Sequence, residues 1–405
     1  MKILVANLGS TSFKYRLFEM DGEEARVLAK GGFERVSDHG EAIDNCLASL
    51  RREGVVGSID DLDAVGFKAV HGGEVSGCLL ADDRVLAALD RYRDIAPAHN
   101  PAYAAGIRQF RARSARLPLV ALFETAFYQW APEPVRHYAV PRTWLEAGVR
   151  RYGFHGASHK FVAERSAELL GRDDLAEATR RLYLDGPSVL NGPDVRVISC
   201  HLGGSSSIAG IRNGAAVGCS LGFSPQSGLP HNNRVGDLDS AALPFAVRHL
   251  NLSLGEAESQ LAREGGLFGL SGVSNDLRDI RAAAVAGNDR AQLAIDVLIQ
   301  QIRHWIGSFL VELNGCDALV FTGGIGENNP WLRAAVCREL DQLGIRLDSN
   351  RNDVDFAPEI DLSADGSAAR IFVIPANEEL VVARETRRLV GSLHPLTQDR
   401  ARSAP

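Results

Sequence analysis

The feature that most constrains the fold is a strand–loop–strand pattern that occurs twice in the chain. The first copy, residues 1–22, combines a short apolar run, a loop rich in glycine and hydroxyl side chains, an alternating strand and an Asp21-Gly22 turn. The second copy begins about 195 residues later, passes through a loop with two glycines and three serines, and ends at Asn213-Gly214. This internal duplication predicts two similar domains that face each other.

Both loops have the composition of a phosphate-binding site. A glycine between two strands lets backbone N–H groups approach an anion closely, and hydroxyl groups beside a cation such as Lys14 bind polyphosphate. A third strand, over residues 318–321, leads into Thr322-Gly323-Gly324 and a helix start, which is a natural place for a nucleotide. No segment of the sequence matches GxxxxGK[ST], so the sequence contains no classical P-loop.

Composition limits the kind of partner. The net charge of −7 argues against a nucleic-acid-binding protein, which usually carries an excess of basic residues. There is no run of eighteen apolar residues and no signal-peptide pattern, so we expect neither membrane association nor export. The six cysteines lie far apart, without the spacing of a zinc site or a disulfide framework, and we expect reduced thiols in a cytoplasmic protein.

Charged residues at strand ends and in loops supply what phosphoryl transfer requires. Lys68 interrupts an apolar strand, Glu124 and Glu378 follow strands, and Arg234 lies in a polar loop. Cations and backbone amides hold phosphates, and a carboxylate holds Mg²⁺. Together with the duplication, this predicts an α/β fold of two duplicated actin-like ATPase (ribonuclease H-like) domains, with the active site in the cleft between them.

We place the first domain at residues 1–128, completed by a C-terminal helix over residues 379–398, and the second, with the nucleotide pocket, at residues 129–378. In the second domain, Ser158 is the expected N-cap of a helix that reaches residue 170. Residues 171–194 are expected to be irregular surface. A helix over residues 291–313 has apolar residues three and four apart, which is typical of a core-facing helix.

Eleven motifs, in order along the chain, resemble those of the acetate kinase family, which includes acetate, propionate and butyrate kinases. They are NLGSTSFK, VHGGE, APAHNP, FETAFYQ, RYGFHGASHK, CHLGGSSSIAGIRNG, GFSPQSGL, RVGDLD, SGVSNDLRD, TGGIGEN and IPANEELVVARET. The resemblance implies reversible transfer of the ATP γ-phosphoryl group to a short-chain carboxylate, giving an acyl phosphate. It also implies Mg²⁺ or Mn²⁺ as the metal, ATP and ADP as co-substrates, and a homodimer.

The resemblance implies a role for each matching residue. His155 corresponds to the histidine that bonds the phosphoryl group in flight, and Arg234 to the arginine between carboxylate and phosphate; Glu124 completes the catalytic set. The implied metal residues are Asn7 and Glu378. The implied acyl-substrate residues are Lys68, Val70, Ala98, Phe154 and Pro225. The implied ATP-binding residues are Lys14, His201, Gly203, Gly204, Asp276, Leu277, Arg278, Gly324, Ile325 and Asn328. His99, Asn100 and His159 are given supporting roles.

Several positions depart from the family pattern. Lys68 stands where the family usually has arginine, and Glu124 stands where it has aspartate. Lysine is shorter than arginine and glutamate is longer than aspartate, so the two changes could compensate for each other. Gly204 replaces an asparagine, and Asn232-Asn233 replace Gly-Thr before Arg234. Ala98 replaces a leucine of the acyl pocket, which predicts a preference for a carboxylate larger than acetate.

Four alternatives stay open at this point. The preferred acid could be acetate or a larger one such as propionate or butyrate. The chain could be a nucleotide-binding regulatory paralogue with weakened catalysis, because of the changes at Lys68, Glu124 and Gly204. It could be a sugar kinase or chaperone ATPase of the same superfamily, or it could use pyrophosphate instead of ATP.

Overall fold

The computed structural model describes residues 1–353 and 359–393, and the chain divides into two compact units. The first unit consists of Met1–Gln129 together with the chain from Asn377 onward, and the second is Trp130–Ala376. Each unit contains, among the described residues, one six-stranded sheet packed with helices. No helix in the described ranges is long and apolar enough to cross a membrane.

The first unit carries six strands and four α-helices within its described residues. The strands are β1 (Lys2–Leu8), β2 (Ser12–Asp21), β3 (Glu24–Glu34), β4 (Ala64–Ala69), β5 (Cys78–Leu80) and β6 (Leu119–Phe123). The helices are α1 (His39–Arg52), α2 (Asp83–Arg91), α3 (Asn100–Arg113) and, from the C-terminal part of the chain, α17 (Glu378–Leu393).

The sheet of the first unit has the strand order β3-β2-β1-β4-β6-β5. β1 runs antiparallel to β2 and parallel to β4, and β4 runs parallel to β6. Asn7 therefore pairs with Lys14 across the first hairpin, and Lys68 pairs with Leu122. The predicted hairpin is confirmed, and Lys14 lies within β2.

The C-terminal helix packs on the sheet of the first unit. A methyl group added at Gly66 of β4 would meet Thr386 Oγ1 at 2.5 Å and Val382 Cγ1 at 2.8 Å, so the absence of a side chain at Gly66 lets α17 lie close to the strand. Residues 394–398, the end of the predicted helix, lie outside the described residues.

The second unit carries the remaining elements of the described chain. Its strands are β7 (Arg196–His201), β8 (Ser207–Arg212), β9 (Ala215–Cys219), β10 (Ala318–Thr322), β11 (Ile360–Asp361) and β12 (Arg370–Val373). Its helices are α4 (Glu133–Arg136), α5 (Arg142–Glu146), α6 (Gly156–Leu169), α7 (Asp173–Arg180), α8 (Leu182–Asp185), α9 (Ala242–His249), α10 (Leu254–Arg263), α11 (Gly266–Ser271), α12 (Leu277–Val285), α13 (Asp289–Leu313), α14 (Gly323–Asn328), α15 (Pro330–Cys337) and α16 (Ser349–Asn352).

The sheet of the second unit repeats the topology of the first. Its order is β9-β8-β7-β10-β12-β11, with an antiparallel β7–β8–β9 meander and parallel β7, β10 and β12. In both sheets the last strand, β5 or β11, pairs antiparallel at the edge. The prediction of a duplicated α/β fold is confirmed.

Helix α13 supplies much of the core of the second unit. Its buried residues include Ile302 and Phe309, which belong to the same core cluster as residues of β7 and β10. A methyl group at Gly210 would come within 2.4 Å of the Phe309 ring. Strand β8 therefore accommodates this ring because residue 210 is a glycine. The predicted core face is confirmed, with Trp305 only partly buried.

Two local predictions in the second unit are wrong. Helix α6 begins at Gly156, with His155 at the N-cap position, so Ser158 lies inside the helix; its hydroxyl instead contacts His201. Residues 171–194 are not wholly irregular, because they contain α7, whose N-terminal turn carries Asp173 and Asp174 and whose Leu175 and Ala176 are buried. The three buried side chains of α7, Leu175, Ala176 and Thr179, include pairs three and four residues apart, which is the spacing of a helix.

Candidate functional site

In the first unit, Lys68 joins two carboxylates. The parallel pairing of β4 and β6 places Glu124, the residue after β6, beside the end of β4, and its N–H donates to Ala69 O at 2.7 Å. Lys68 Nζ lies 3.3 Å from Glu124 Oε1 and donates a hydrogen bond to Glu378 Oε2, at the start of α17. Three predicted site residues that are far apart in sequence therefore form one ionic cluster.

The charges in this cluster stabilise one another. Burial by itself lowers the pKa of Lys68, but the carboxylates of Glu378 and Glu124 outweigh it and raise that pKa well above its ordinary value. Tyr103, also buried beside the cluster, has its phenol pKa raised by burial. Lys68 is therefore a permanent cation at neutral pH, placed between two carboxyl groups.

Asn7 has an oxygen suited to a metal ion. Its Nδ2 donates to Glu379 Oε1 at 3.2 Å, whereas its buried Oδ1 has no hydrogen-bond partner among the described residues. Mg²⁺ prefers such oxygen ligands and is usually held by one or two carboxylates plus phosphates and water. Asn7 and Glu378 fit this requirement, although the described chain contains no group of three or more His, Cys, Asp or Glu side chains placed to hold a metal.

Other predicted residues of the first unit lie apart from the ionic cluster or at its border. Lys14 is exposed and forms a 3.5 Å ion pair with Glu34. Val70 is buried just after β4, and Ala98 is exposed in the turn before α3. Asn100 Nδ2 donates to His71 O at 2.7 Å, which holds the Ala98 turn beside the end of β4.

In the second unit, a network of histidines and serines surrounds the start of α6. Ser207 Oγ lies 2.8 Å from both His155 Nδ1 and His159 Nε2, and His159 Nδ1 lies 2.8 Å from Ser199 Oγ. The His155 ring stacks on His201 with 4.3 Å between centroids. His155, His159 and His201, all singled out in the sequence, are therefore in direct contact.

The environment of this network determines the protonation of His159 and the ring position of His155. Burial, with a smaller contribution from His201, lowers the pKa of His159 well below its ordinary value, so His159 is neutral. His155 has a left-handed backbone with φ of 57°, which is costly for a residue with a side chain. Its ring is held by Ser207 and His201 in spite of that cost.

The glycine-rich loop after β7 has the features of an anion site. Among the described residues, the N–H groups of Gly204 and Ser205 donate to no protein acceptor, whereas Gly203 N–H donates to Ser206 Oγ at 3.2 Å. Consecutive backbone N–H groups of this kind bind anions such as phosphate. The loop is thus able to bind the phosphates of a nucleotide.

The same loop lies against the predicted nucleotide segment. The N–H of Ile325 donates to Leu202 O at 2.8 Å, and Leu202 N–H donates to Thr322 O at 2.8 Å. Gly323 has φ of 77°, and a methyl group there would be 2.6 Å from Leu202 O, so this approach requires glycine. The His201 loop and the start of α14, with Gly324, Ile325 and Asn328, are therefore adjacent.

Asp276 and Arg278 form an exposed pair at the start of α12. Asp276 caps the helix by accepting from Arg278 N–H at 2.9 Å, and it also accepts from Arg278 Nε at 3.0 Å. These side-chain and backbone bonds from Arg278 lower the pKa of Asp276 to about 2. Leu277 is buried in the core. Arg281, further along α12, stacks 4.2 Å above the Trp331 ring of α15, the helix that follows α14.

Arg234 is a shielded cation. Its Nη1 donates to Pro225 O at 2.8 Å, so two predicted residues are in contact, and within the described residues no carboxylate forms an ion pair with it. Burial lowers the pKa of Arg234 to about 10, which still leaves the guanidinium charged at neutral pH. Phe154 is buried, and its carbonyl accepts from Cys219 Sγ at 3.8 Å.

Sequence reasoning missed several residues that complete these clusters. They are Tyr103 and Glu379 in the first unit, and Ser207 and His231 in the second. Glu379 adjoins a predicted residue and Ser207 is the last serine of the serine-rich motif, so the sequence carried a signal for both. Nothing in the sequence near Tyr103 or His231 indicates that tertiary packing brings them to the sites.

The comparisons with known proteins cover nearly the whole chain. The model of the Acetokinase family matches residues 32–384. An acetate kinase of Treponema denticola is 42% identical over 417 residues, which cover 96% of this chain and 100% of the relative. An acetate kinase of Natranaerobius thermophilus is 39% identical over 418 residues, with the same coverage of both chains.

Solved structures give a matching result. The chain is similar to the crystal structure of Porphyromonas gingivalis acetate kinase, with a TM-score of 0.84, 35% identity and coverage of 96% of this chain and 99% of that one. It is also similar to a propionate kinase from Francisella tularensis, with a TM-score of 0.81, 30% identity and the same coverage.

Proposed function

The chain belongs to the Acetokinase family, and on that premise we propose that this kinase reversibly transfers the γ-phosphoryl group of ATP to a short-chain carboxylate, forming an acyl phosphate. Within this reaction the acceptor is a carboxyl oxygen, and the products are ADP and a mixed anhydride. The supporting relatives are named as acetate kinases and a propionate kinase.

The observation that carries the proposal is the state of Arg234. A shielded guanidinium that has no carboxylate partner among the described residues is costly unless a ligand supplies negative charge. Arginine binds carboxylates and phosphates with two parallel hydrogen bonds. A carboxylate acceptor and a transferred phosphoryl group are anions that this residue can neutralise.

The neighbouring groups of the second unit act on the phosphoryl group. His155 is held by Ser207 and His201. It donates a hydrogen bond to the equatorial oxygens of the transferred phosphoryl group, over which charge is distributed in the transition state. The N–H groups of Gly204 and Ser205 bind the remaining ATP phosphates, and Gly324, Ile325 and Asn328 bind the nucleoside. This division gives distinct tasks to His155, to the glycine-rich loop and to the start of α14.

The first unit supplies charge and metal-binding oxygens. Lys68 orients Glu124 and Glu378, and its positive charge offsets theirs. Asn7 Oδ1 and Glu378 would hold Mg²⁺, which neutralises phosphate charge when bound. Val70, beside the Ala98 turn, contributes apolar surface for the acyl chain.

A panel of carboxylates tests the function. The protein is incubated with ATP, Mg²⁺ and each acid from formate to valerate, and acyl phosphate is trapped as the hydroxamate. We expect a clear maximum at one acid and no product when pyrophosphate replaces ATP. Arg234→Gln should abolish product formation, whereas Arg248→Gln, an exposed arginine on α9, should not affect it.

A flat response with every acid, while ATP still binds, would overturn the proposal in favour of a regulatory nucleotide-binding protein. A response with pyrophosphate but not with ATP would overturn the assignment of the donor. A second candidate, a kinase for an acid larger than acetate, is favoured by the small side chain at Ala98, and the position of the maximum decides it.

A further inference from the structure

His231 lies at the junction of two loops in the second unit. Its side chain is almost completely buried, its Nδ1 accepts the Ser206 N–H at 3.0 Å, and its Nε2 lies 3.2 Å from the carbonyl oxygen of Ser227. Because Nδ1 accepts, Nε2 carries the proton and donates to that carbonyl. One imidazole thus connects the glycine-rich loop to the polar segment that contains Arg234.

We propose that His231 is a positioning residue that holds the glycine-rich loop, residues 203–207, at a fixed place relative to Arg234. The proposal rests on the proposed function, because it names the residue that aligns the phosphate-binding amides with the arginine. Within the described residues, the ring nitrogens of His231 contact only Ser206 and Ser227, so the proposed role of His231 is exerted through the loop and not on the substrate.

The backbone around His231 is fixed independently of its side chain. His231 N–H donates to Arg234 O at 3.0 Å, which closes a turn over residues 231–234, and Leu267 N–H donates to His231 O at 2.8 Å. Gly266 has φ of 59°, and a methyl group there would lie 2.1 Å from His231 O. The imidazole therefore projects from a rigid base, and what it holds is the loop.

A second contact joins the same two segments. Asn232 N–H donates to Gly204 O at 3.3 Å, and a methyl group added at Gly204 would lie 3.3 Å from Asn232 Nδ2. Asn232 therefore packs against the glycine, whose own N–H belongs to the unpaired amides assigned to phosphate. His231 holds Ser206 at one end of the loop and Asn232 holds Gly204 O at the other. These two contacts fix the orientation of the Gly204 and Ser205 N–H groups.

The test compares two substitutions at His231. His231→Asn places an oxygen where Nδ1 was and retains an acceptor for Ser206 N–H, whereas His231→Leu leaves that buried N–H unpaired. We expect the KM for ATP of the leucine variant to rise about tenfold, the value for one lost buried hydrogen bond. Asparagine should restore most of this loss, and the KM for the carboxylate should change much less. His249→Leu, on the exposed surface of α9, is the matched control.

Amide hydrogen exchange over residues 203–207 provides a measurement that does not depend on activity. We expect faster exchange in His231→Leu than in wild type and His231→Asn. If the leucine variant does not fold, Gly204→Ala perturbs the same junction from the loop side and should also raise the KM for ATP. Unchanged exchange and KM in His231→Leu would overturn the proposal, as would equal impairment by asparagine and leucine. If wild type forms no acyl phosphate, the proposed function fails, and the exchange result still decides the role of His231.

Discussion

The ammonium group of Lys68 lies 3.3 Å from Glu124 Oε1 and also bonds to Glu378, so a single lysine supports two shielded carboxylates. These three residues come from β4, the end of β6 and the start of α17. An ion cluster of this kind depends on side-chain length, because each charge is positioned by the other two.

Lys68→Arg and Glu124→Asp are expected to be harmful separately and less harmful together. A longer cation opposite Glu124, or a shorter carboxylate opposite Lys68, displaces the reacting groups by about 1 Å, which can cost about a hundredfold in rate. The double variant exchanges length between the partners, so we expect it to recover much of kcat/KM in a double-mutant cycle. Losses that simply multiply would contradict compensation. Arg26→Lys with Glu19→Asp, an exposed pair in the same unit, is the control.

Ala98→Leu is expected to shift the acid preference toward acetate. Each CH₂ that an acyl chain buries contributes about 0.8 kcal/mol, so filling the space with a leucine should cost a longer acid roughly 1.5–2.5 kcal/mol. The measurement is kcat/KM for acetate, propionate and butyrate in wild type and variant. An unchanged ratio would show that Ala98 does not contact the acyl chain. Ala112→Leu, on α3, serves as control for the added volume.

Ser207→Ala is expected to lower kcat with little change in the KM values. Its hydroxyl lies 2.8 Å from both His155 and His159, so its removal lets the His155 ring move away from the position proposed for the transition state. We expect a loss of about 10–100-fold, measured by hydroxamate formation at saturating substrates. Ser114→Ala, at an exposed hydroxyl in the other unit, should be neutral. A rise in KM with unchanged kcat would assign Ser207 to binding instead.

The buried neutral His159 is expected to make stability depend on pH. Its pKa is lowered in the folded state, so below about pH 6.5 the unfolded chain binds a proton that the folded chain does not. The contribution of His159 to the free energy of unfolding is therefore complete above about pH 6.5. It is lost as pH falls below that value, by up to about 1.4 kcal/mol per pH unit.

Urea unfolding between pH 7.5 and about pH 5 measures this slope. His159→Gln removes the titrating group, and its stability should fall less steeply with acid than that of wild type. His249→Gln, at an exposed histidine, should retain the wild-type slope. Equal slopes for wild type and His159→Gln would show that other groups govern the acid response.

Much of the fold could be predicted from the sequence because it is encoded locally. The duplicated hairpins were readable from short apolar runs and Gly turns, and α13 from apolar residues three and four apart. The site motifs were readable because glycine, serine and histidine are concentrated in loops after strands. The N-terminus of α6 was misassigned, because His155 occupies a left-handed conformation that sequence does not favour there.

The sequence by itself determined which residue types are available for the proposed chemistry and which strands present them. Only the tertiary structure decided their partners: Lys68 between Glu124 and Glu378, Ser207 between two histidines, and His231 beneath the glycine-rich loop. Secondary structure follows from interactions within a few residues, which a linear pattern records. Charge pairing and hydrogen bonds join residues up to 372 positions apart, so only packing brings them within reach of each other.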